Sequence, residues 1–190
     1  MRPGKFTFQK LITMLSDVRK QKFEYLFRVF DKSGGGTLTQ SDLKSLFAGL
    51  ATNDEKSENA RKAARRWWLL LSLFADKNND KRVSRKEWKA WLDGMSIEAG
   101  SSQAGSRTFQ RWAEATYGTF SNNDNEVTDQ EYRQWHTAFG LSGDAGEAFQ
   151  KVDANGNGVI SRDEFMQRLR EFVSADDAEA AGNYLWGNPF

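Results

Sequence analysis

The segment from Asp153 to Glu164, DANGNGVISRDE, spaces oxygen-bearing side chains as a hard divalent cation requires. Ca²⁺ takes roughly six to eight oxygen ligands, and a twelve-residue loop supplies them from positions 1, 3, 5, 7, 9 and 12, with a glycine turn at position 6. Gly158 occupies that turn. An Asn- and Gly-rich surface turn is the alternative, and the helical patterns on both sides disfavour it. The predicted metal ligands, with Val159 donating its main-chain carbonyl, are Asp153, Asn155, Asn157, Val159, Ser161 and Glu164.

Two other segments repeat this pattern less completely. Residues 31–42, DKSGGGTLTQSD, end in Asp42, which is one methylene shorter than glutamate and favours an octahedral geometry that also suits Mg²⁺. Residues 76–87, DKNNDKRVSRKE, carry three carboxylates but place Lys81 at the turn. A positive φ at a lysine costs about 1 kcal/mol. The predicted ligands, with Thr37 and Arg82 at the carbonyl position, are Asp31, Ser33, Thr37, Thr39, Asp42, Asp76, Asn78, Asp80, Arg82, Ser84 and Glu87.

A further repeat is degenerate. With Val127 at position 8 and Glu131 at position 12, it begins at Phe120 and reads FSNNDNEVTDQE. A phenyl ring cannot donate an oxygen, so we expect this loop not to bind metal. The four loops begin 45, 44 and 33 residues apart. This repeat predicts four helix–loop–helix units of the EF-hand type, three of which bind Ca²⁺ with Mg²⁺ as a competitor.

Apolar residues beside each loop recur at helical spacing, as in the stripe Phe23, Leu26, Phe27 and Phe30, for which Ser16 is a predicted N-cap. Gly140 is a predicted helix stop. The sequence therefore predicts an all-α fold in which two pairs of EF-hands pack into one compact two-lobed molecule. The predicted domains are an N-terminal pair at 1–93, a Gly-, Ser- and Ala-rich linker at 94–106, a C-terminal pair at 107–174 and a tail at 175–190.

From Ser16 to Phe190 the chain resembles the invertebrate sarcoplasmic calcium-binding proteins and calexcitin, whose superfamily also contains photoproteins and luciferin-binding proteins. Three features carry the resemblance: Asp42 at the end of the first loop, the second hand ADKNNDKRVSRKEWKAW, and the closing segment AGNYLWGNPF. The resemblance implies that the two halves pack face to face and that the tail folds back over the core. The chain departs from calexcitin in having a broken third hand and an intact fourth hand.

Composition excludes several classes of function. The chain has no cysteine and a single histidine, His136, so neither a thiolate zinc site nor a cluster of histidine ligands can form. No apolar run is long enough to span a membrane, and no secretory signal is recognisable. We therefore expect a cytoplasmic protein, and the resemblance implies a monomer that is not an enzyme.

Charge is divided unevenly along the chain. Residues 1–95 carry a net charge of +9 and residues 96–190 a net charge of −8. Opposite charges steer two lobes together in one orientation. A basic cluster beside Trp67 and Trp68 suggests, as an alternative, a face for an anionic membrane or nucleic acid; it comprises Arg61, Lys62, Arg65 and Arg66. Its two helical rows are also typical of a solvated or lobe-docking face, which we favour, so no nucleic-acid partner is expected.

Three functions are compatible with these features. Calcium sensors expose a methionine-lined groove, whereas this chain has only four methionines among rigid Phe, Trp and Leu, so a calcium buffer is favoured over a calexcitin-like sensor with a protein partner. A luciferin-binding or photoprotein-like carrier is the third function, although aromatic residues at helical spacing are more typical of a core and the histidines of photoprotein chemistry are missing. The residues that could line such a cavity are Trp88, Trp91, Trp112, Tyr132, Trp135 and Trp186. The basic segment 1–14 is predicted to be a helical extension over the core, with a targeting role as the alternative.

Overall fold

The computed structural model describes residues 15–51, 53–100, 107–121 and 126–190, and in these ranges the chain forms eight α-helices in four helix–loop–helix units. The predicted all-α fold class is confirmed. The first two units pair α1 (Asp17–Phe30) with α2 (Gln40–Ala48) and α3 (Asp54–Phe74) with α4 (Arg85–Gly100). The last two pair α5 (Arg107–Phe120) with α6 (Asp129–Phe139) and α7 (Ala145–Val152) with α8 (Arg162–Ser174).

Short antiparallel strands join the loops in pairs. β1 (Thr37–Leu38) pairs with β2 (Val83–Ser84), so that Leu38 lies opposite Val83. β3 (Glu126–Thr128) pairs with β4 (Val159–Ser161), so that Val127 lies opposite Ile160. All four position-8 side chains are at most 1% exposed, because successive residues of a strand face opposite sides and this one faces the core. The pairing supports the register that the sequence predicts for the degenerate loop.

The last residue of each loop lies in the first turn of the following helix. Thr39, Thr128 and Ser161 are N-cap residues whose hydroxyls accept a hydrogen bond from the N–H three residues later. The carboxylates of Asp42, Glu131 and Glu164 in turn accept from the N-cap N–H. These reciprocal capping boxes satisfy helix donors that would otherwise lack partners, and they fix the position of the loop-closing carboxylate.

Two other helix boundaries follow the sequence prediction. Ser16 caps α1, and its side chain accepts a hydrogen bond from the N–H of Arg19 at 3.1 Å. Helix α6 ends at Gly140, which has a φ of 66°. Glycine is favoured there because a side chain strains the left-handed conformation that reverses the chain.

A continuous aromatic core joins the first two units to the last two. The ring of Trp67 lies 6.4 Å from that of Trp112 and 6.0 Å from that of Trp186, both at edge-to-face angles. Phe30 and Phe139 make a similar contact at 6.3 Å. Such aromatic pairs stabilise a fold by about 0.5–1.5 kcal/mol beyond the area that they bury. The two halves are therefore held mainly by apolar packing.

The C-terminal tail, which includes a 3-10 turn at Ala181–Tyr184, contributes to this core and binds α1. Trp186 is fully buried, and the Lys22 Nζ donates hydrogen bonds to the Ala175 carbonyl at 2.7 Å and to Asn183 Oδ1 at 3.0 Å. Burial lowers the pKa of Lys22 to about 8, against the opposing effect of Asp176. The Tyr25 hydroxyl donates to the Trp186 carbonyl at 2.9 Å.

The predicted linker, 94–106, differs from the structure in its first half. Helix α4 continues to Gly100, with Met95, Ser96 and Ala99 buried. Burial of this face stabilises the helix despite Gly94, because tertiary packing outweighs the low helix propensity of glycine. Residues 101–106 and the predicted extension 1–14 lie outside the described residues. No described helix is long and apolar enough to cross a membrane.

Candidate metal centres

The fourth loop is organised around the carboxylate of Asp153. Its Oδ1 accepts a hydrogen bond from the Gly156 N–H at 2.8 Å, and its Oδ2 accepts one from the Gly158 N–H at 2.9 Å. Two further short bonds run along the loop, from the Asn157 N–H to Asn155 Oδ1 and from the Val159 N–H to Asn157 Oδ1. The side chains at positions 1, 3 and 5 are therefore all fixed by main-chain donors of their own loop.

Glu164 closes the fourth loop from the other side. Its Oε1 accepts from the N–H groups of Ala154 and Asn155 at 3.1 and 3.2 Å. Its Oε2 accepts from the Ser161 N–H at 2.9 Å and from the Ser161 hydroxyl at 2.6 Å. Both carboxylate oxygens thus face the loop, which is the arrangement needed for a bidentate ligand.

The first loop has the same architecture with a shorter closing residue. The two oxygens of Asp31 accept from the N–H groups of Gly35 and Gly36 at 2.9 and 2.8 Å. Asp42 is 1% exposed, and its oxygens accept from the Ser33 N–H and the Thr39 N–H, both at 2.8 Å. Each carboxylate thus accepts hydrogen bonds from main-chain N–H groups of the same loop, as in the fourth loop.

The second loop holds three carboxylates. The oxygens of Asp76 accept from the Asp80 N–H at 3.2 Å and the Lys81 N–H at 3.0 Å. Glu87 accepts from the Lys77 N–H at 3.1 Å and the Ser84 N–H at 2.9 Å. At position 5, Asp80 accepts from the Arg82 N–H at 2.9 Å, as Asn157 accepts from the Val159 N–H in the fourth loop, and it also accepts from Asn78 Nδ2 at 3.0 Å.

The turn of each described loop requires two residues of positive φ, at positions 4 and 6. The first and fourth loops place glycine at both positions, with φ values between 68° and 86° at Gly34, Gly36, Gly156 and Gly158. In the second loop Asn79 (56°) and Lys81 (64°) adopt the same conformation. The sequence predicted the strain at Lys81 but not at Asn79, although glycines at the matching positions of the other two loops indicate it.

The third loop uses its first residue for packing. Phe120 is 4% exposed, and its ring lies 5.2 Å from that of Phe165 and 5.7 Å from that of Trp186. Glu131 Oε2 accepts from the Thr128 N–H and hydroxyl, both at 2.9 Å, as in the other capping boxes. Residues 122–125 of this loop lie outside the described residues. Position 1 therefore provides an aromatic ring to the core where the other loops provide an oxygen.

The carboxylates that close the three other loops are held in their ionised form. Burial would raise the pKa of Asp42, but hydrogen bonds from Thr39 and Ser33 outweigh it and the pKa is lowered. The pKa of Glu87 is lowered mainly by hydrogen bonds from Ser84. Burial likewise opposes the lowered pKa of Glu164, which results from Ser161, Asn155 and Ala154. Ionised carboxylates are the form that binds cations.

The donor sets of loops 1, 2 and 4 fit a hard divalent cation. They consist of carboxylate, amide, hydroxyl and carbonyl oxygens, which are the ligands of Ca²⁺ and Mg²⁺. At position 7, Thr37 and Val159 begin β1 and β4, and Arg82 directly precedes β2. Across the described ranges no three carboxylate or imidazole side chains form a metal-binding cluster by themselves, and the predicted ligand sets also include amide, hydroxyl and main-chain oxygens.

The aromatic residues that could line a ligand cavity are packed against one another. Trp88, Trp112 and Trp186 are at most 1% exposed, and Trp91, Tyr132 and Trp135 at most 5%. Trp186 lies 5.5 Å from Trp135, and Trp91 lies 5.2 Å from Trp112. Five buried indole N–H groups find no hydrogen-bond acceptor among the described residues: those of Trp67, Trp91, Trp112, Trp135 and Trp186.

Comparison with known families matches two parts of the chain. The family described as "EF hand domain" matches residues 144–172, and the family described as "EF-hand domain pair" matches residues 3–50. Calerythrin from Saccharopolyspora erythraea is 25% identical over 167 residues, which cover 84% of this chain and 94% of calerythrin.

Solved structures share the arrangement of the whole chain. A sarcoplasmic calcium-binding protein from amphioxus superposes with a TM-score of 0.67 at 20% identity, covering 91% of this chain and 98% of its own. A coelenterazine-binding protein from Renilla muelleri, in its calcium-loaded apo form, gives a TM-score of 0.70 at 21% identity, covering 92% and 99%. These likenesses concern the fold.

Proposed function

We propose that this protein is a monomeric cytoplasmic Ca²⁺/Mg²⁺ buffer that binds three ions. The chain carries EF-hand domains, is related to calerythrin and has the fold of the sarcoplasmic calcium-binding proteins, as the sequence predicts. The ions bind at loops 1, 2 and 4, and loop 3 takes none. The protein performs no catalysis. The observation that carries this proposal is the arrangement of Asp153 and Glu164, whose four carboxylate oxygens all face one loop.

The burial of the apolar helix faces supports a buffer over a sensor. Calcium sensors release helix faces that then bind a target. Here the large aromatic rings of both halves are buried against one another, and Trp186 of the tail lies between Phe30, Trp67 and Trp135. Opening a groove would expose this aromatic core, at a cost of roughly 25 cal/mol for each Å² of apolar surface.

The number of ions is tested by calorimetric titration of Ca²⁺ into variants of the closing residues. Asp42→Asn, Glu87→Gln and Glu164→Gln should each lower the stoichiometry by one, because an amide replaces one of the two carboxylate oxygens. Glu131→Gln is the matched control and should remove none, since Phe120 provides no ligand at position 1. A stoichiometry of four, or an ion lost on changing Glu131, contradicts the proposal.

The buffering role is tested separately, by hydrophobic-dye fluorescence when Ca²⁺ is added to the magnesium-loaded protein. A closed buffer gives no increase, because its apolar faces stay buried in both states. A large calcium-dependent increase would instead establish target recognition. If the protein binds three ions and also gains dye binding, the proposed metal sites stand and the proposed buffering role is contradicted.

One observation favours a second candidate, a carrier of an apolar molecule. The five unpaired indole N–H groups would be satisfied by a ligand with hydrogen-bond acceptors, and an unsatisfied buried donor costs about 1–3 kcal/mol. The coelenterazine-binding protein shares the fold. Against it, Trp186 already occupies the centre of the cluster. Addition of coelenterazine, followed by its visible absorbance after gel filtration, distinguishes the two, and we expect no retained chromophore.

A further inference from the structure

The outward face of α3 carries basic and apolar side chains on one helical row. Lys62, Arg66, Leu69 and Leu73 follow one another at spacings of three or four residues, with Arg65 beside them. The opposite face, which includes Ala64, Trp67 and Leu71, is buried in the core. We name the first set, Lys62, Arg65, Arg66, Leu69 and Leu73, the α3 ridge.

The leucines of the α3 ridge are unusually exposed. Leu69 exposes 64% of its surface and Leu73 exposes 63%, whereas Leu70 is partly buried and Leu71 fully buried. Residues in a groove are partly covered by its walls, whereas these two protrude. Adjacent exposed apolar side chains indicate an interaction site, and a convex ridge fits a deformable surface better than a helix-binding partner does.

Within the described ranges, the cations of the α3 ridge form no ion pair with the C-terminal half, although Lys62 and Arg66 border a cavity that Glu131 and Gln134 line from that half. The ion pair of Lys62 is with Glu58 of its own helix, at 3.9 Å, and the Lys62 side chain is 64% exposed. Arg65 and Arg66 form no ion pair within the described ranges. The ion pair that does join the two halves is between Asp176 and Arg19, and Arg19 lies on α1.

We propose that the α3 ridge binds the surface of a membrane that contains anionic lipids. Leu69 and Leu73 insert at the boundary of headgroups and acyl chains, while Lys62, Arg65 and Arg66 pair with lipid phosphates and carboxylates. The charge division orients the molecule, because the half that carries α3 has a net charge of +9 and the other half −8. A nucleic acid would use the cations but gain nothing from the protruding leucines.

Co-sedimentation with vesicles tests this inference on the full chain, with Mg²⁺ present and calcium chelated so that calcium does not bridge lipid and protein. Vesicles of phosphatidylcholine with added phosphatidylserine should bind about tenfold or more tightly than phosphatidylcholine alone, and added salt should weaken the binding. The double variants Leu69→Ser/Leu73→Ser and Arg65→Gln/Arg66→Gln should each weaken it by about tenfold.

Ile97→Ser is the matched control, because Ile97 is as exposed as Leu69, at 64%, but lies on α4. It should leave vesicle binding unchanged. All three variants alter exposed side chains, so their thermal unfolding should match that of the wild-type protein and separate lost binding from lost folding.

Several results would overturn the inference. Absence of binding to phosphatidylserine vesicles does so directly, as does an equal loss in the Ile97→Ser variant. Binding that survives loss of the leucines but is displaced by duplex DNA would identify a general polyanion surface. A dimer in light scattering that the leucine double variant dissociates would identify a second copy as the occupant.

Discussion

Loops 2 and 4 begin with aspartate and end with glutamate, yet they meet the requirements of a cation in opposite ways. Loop 4 places glycine at both positions of positive φ and has two carboxylates among its predicted ligands. Loop 2 has three carboxylates but forces Asn79 and Lys81 into the left-handed conformation. Loop 4 is therefore relaxed and weakly charged, and loop 2 is strained and strongly charged.

The difference separates a contribution to calcium affinity from a contribution to folding stability. Charge acts on the bound state, because a carboxylate attracts the ion directly. Backbone strain acts on the folded loop with or without the ion, because it is present whenever the turn forms. Exchanging the distinguishing residues between the loops should therefore change calcium affinity in one case and folding stability in the other.

The largest expected effect comes from the third carboxylate. A unit charge about 4 Å from a divalent ion contributes roughly 2 kcal/mol even at the dielectric constant of water. Asp80→Asn should therefore weaken calcium binding at loop 2 by more than about tenfold, and Asn157→Asp should strengthen it at loop 4 by a similar factor. Competition with a chromophoric chelator measures both. Equal affinities in the variant and parent proteins would refute the charge argument.

An intermediate effect is expected from the turn residue. Lys81→Gly should stabilise the calcium-free protein by about 0.5–1 kcal/mol, because relief of strain exceeds the added freedom of the unfolded chain. Gly158→Ala should destabilise it by about 1 kcal/mol for the converse reason. Urea unfolding measures both changes. Lys81→Gln removes the charge and keeps the strain, so a similar gain in that control would assign the effect to charge.

The smallest effect concerns acid. Glu87 and Glu164 both have lowered pKa values, and each accepts hydrogen bonds from a serine. A carboxylate with a lowered folded pKa stabilises the fold above its unfolded pKa, about 4.3, and loses that contribution as the pH falls through the folded value. Stability of the calcium-free protein should therefore decrease on acidification across this window.

The serines provide the sharper form of this test. Ser161→Ala should raise the pKa of Glu164 more than Ser84→Ala raises that of Glu87, because Glu164 is buried and Glu87 only partly so, and a hydrogen bond to a carboxylate is stronger where less water reaches it. Carboxyl ¹³C shifts in an NMR titration measure both values. A larger change at Glu87 would show that burial does not distinguish the two loops.

Local features of the chain were predictable from sequence because they depend on few residues. The helix start at Ser16, the stop at Gly140 and the positive φ of Lys81 each follow from one residue and its neighbours. Placing Val127 at position 8 of the degenerate loop also follows from the loop motif, and the structure pairs it with Ile160, the position-8 residue of the fourth loop. The metal-ligand assignments themselves stay predictions, supported by the orientation of the carboxylates.

The remaining features depend on contacts distant in sequence. Periodicity shows that Trp186 is apolar but not that it lies between Phe30 and Trp135. Composition suggested a linker at 94–106, whereas burial of Met95 and Ala99 extends α4 through its first half. Phe120 was recognised as a lost ligand, and only the structure places its ring in the core. Packing decided each of these outcomes, and packing is not encoded in any short window.

The two hydrogen bonds that Asp153 accepts also bear on the chemical lifetime of the protein. Loop 4 contains the sequences Asn155–Gly156 and Asn157–Gly158, and asparagine before glycine deamidates when the glycine nitrogen attacks the asparagine side chain. Both of those nitrogens donate to the Asp153 carboxylate, at 2.8 and 2.9 Å, which ties up the attacking atoms. Succinimide opening would otherwise give aspartate or, with a backbone lengthened by one carbon, isoaspartate. We therefore expect Asp153 to slow the deamidation of Asn155 and Asn157 in the loop that it stabilises.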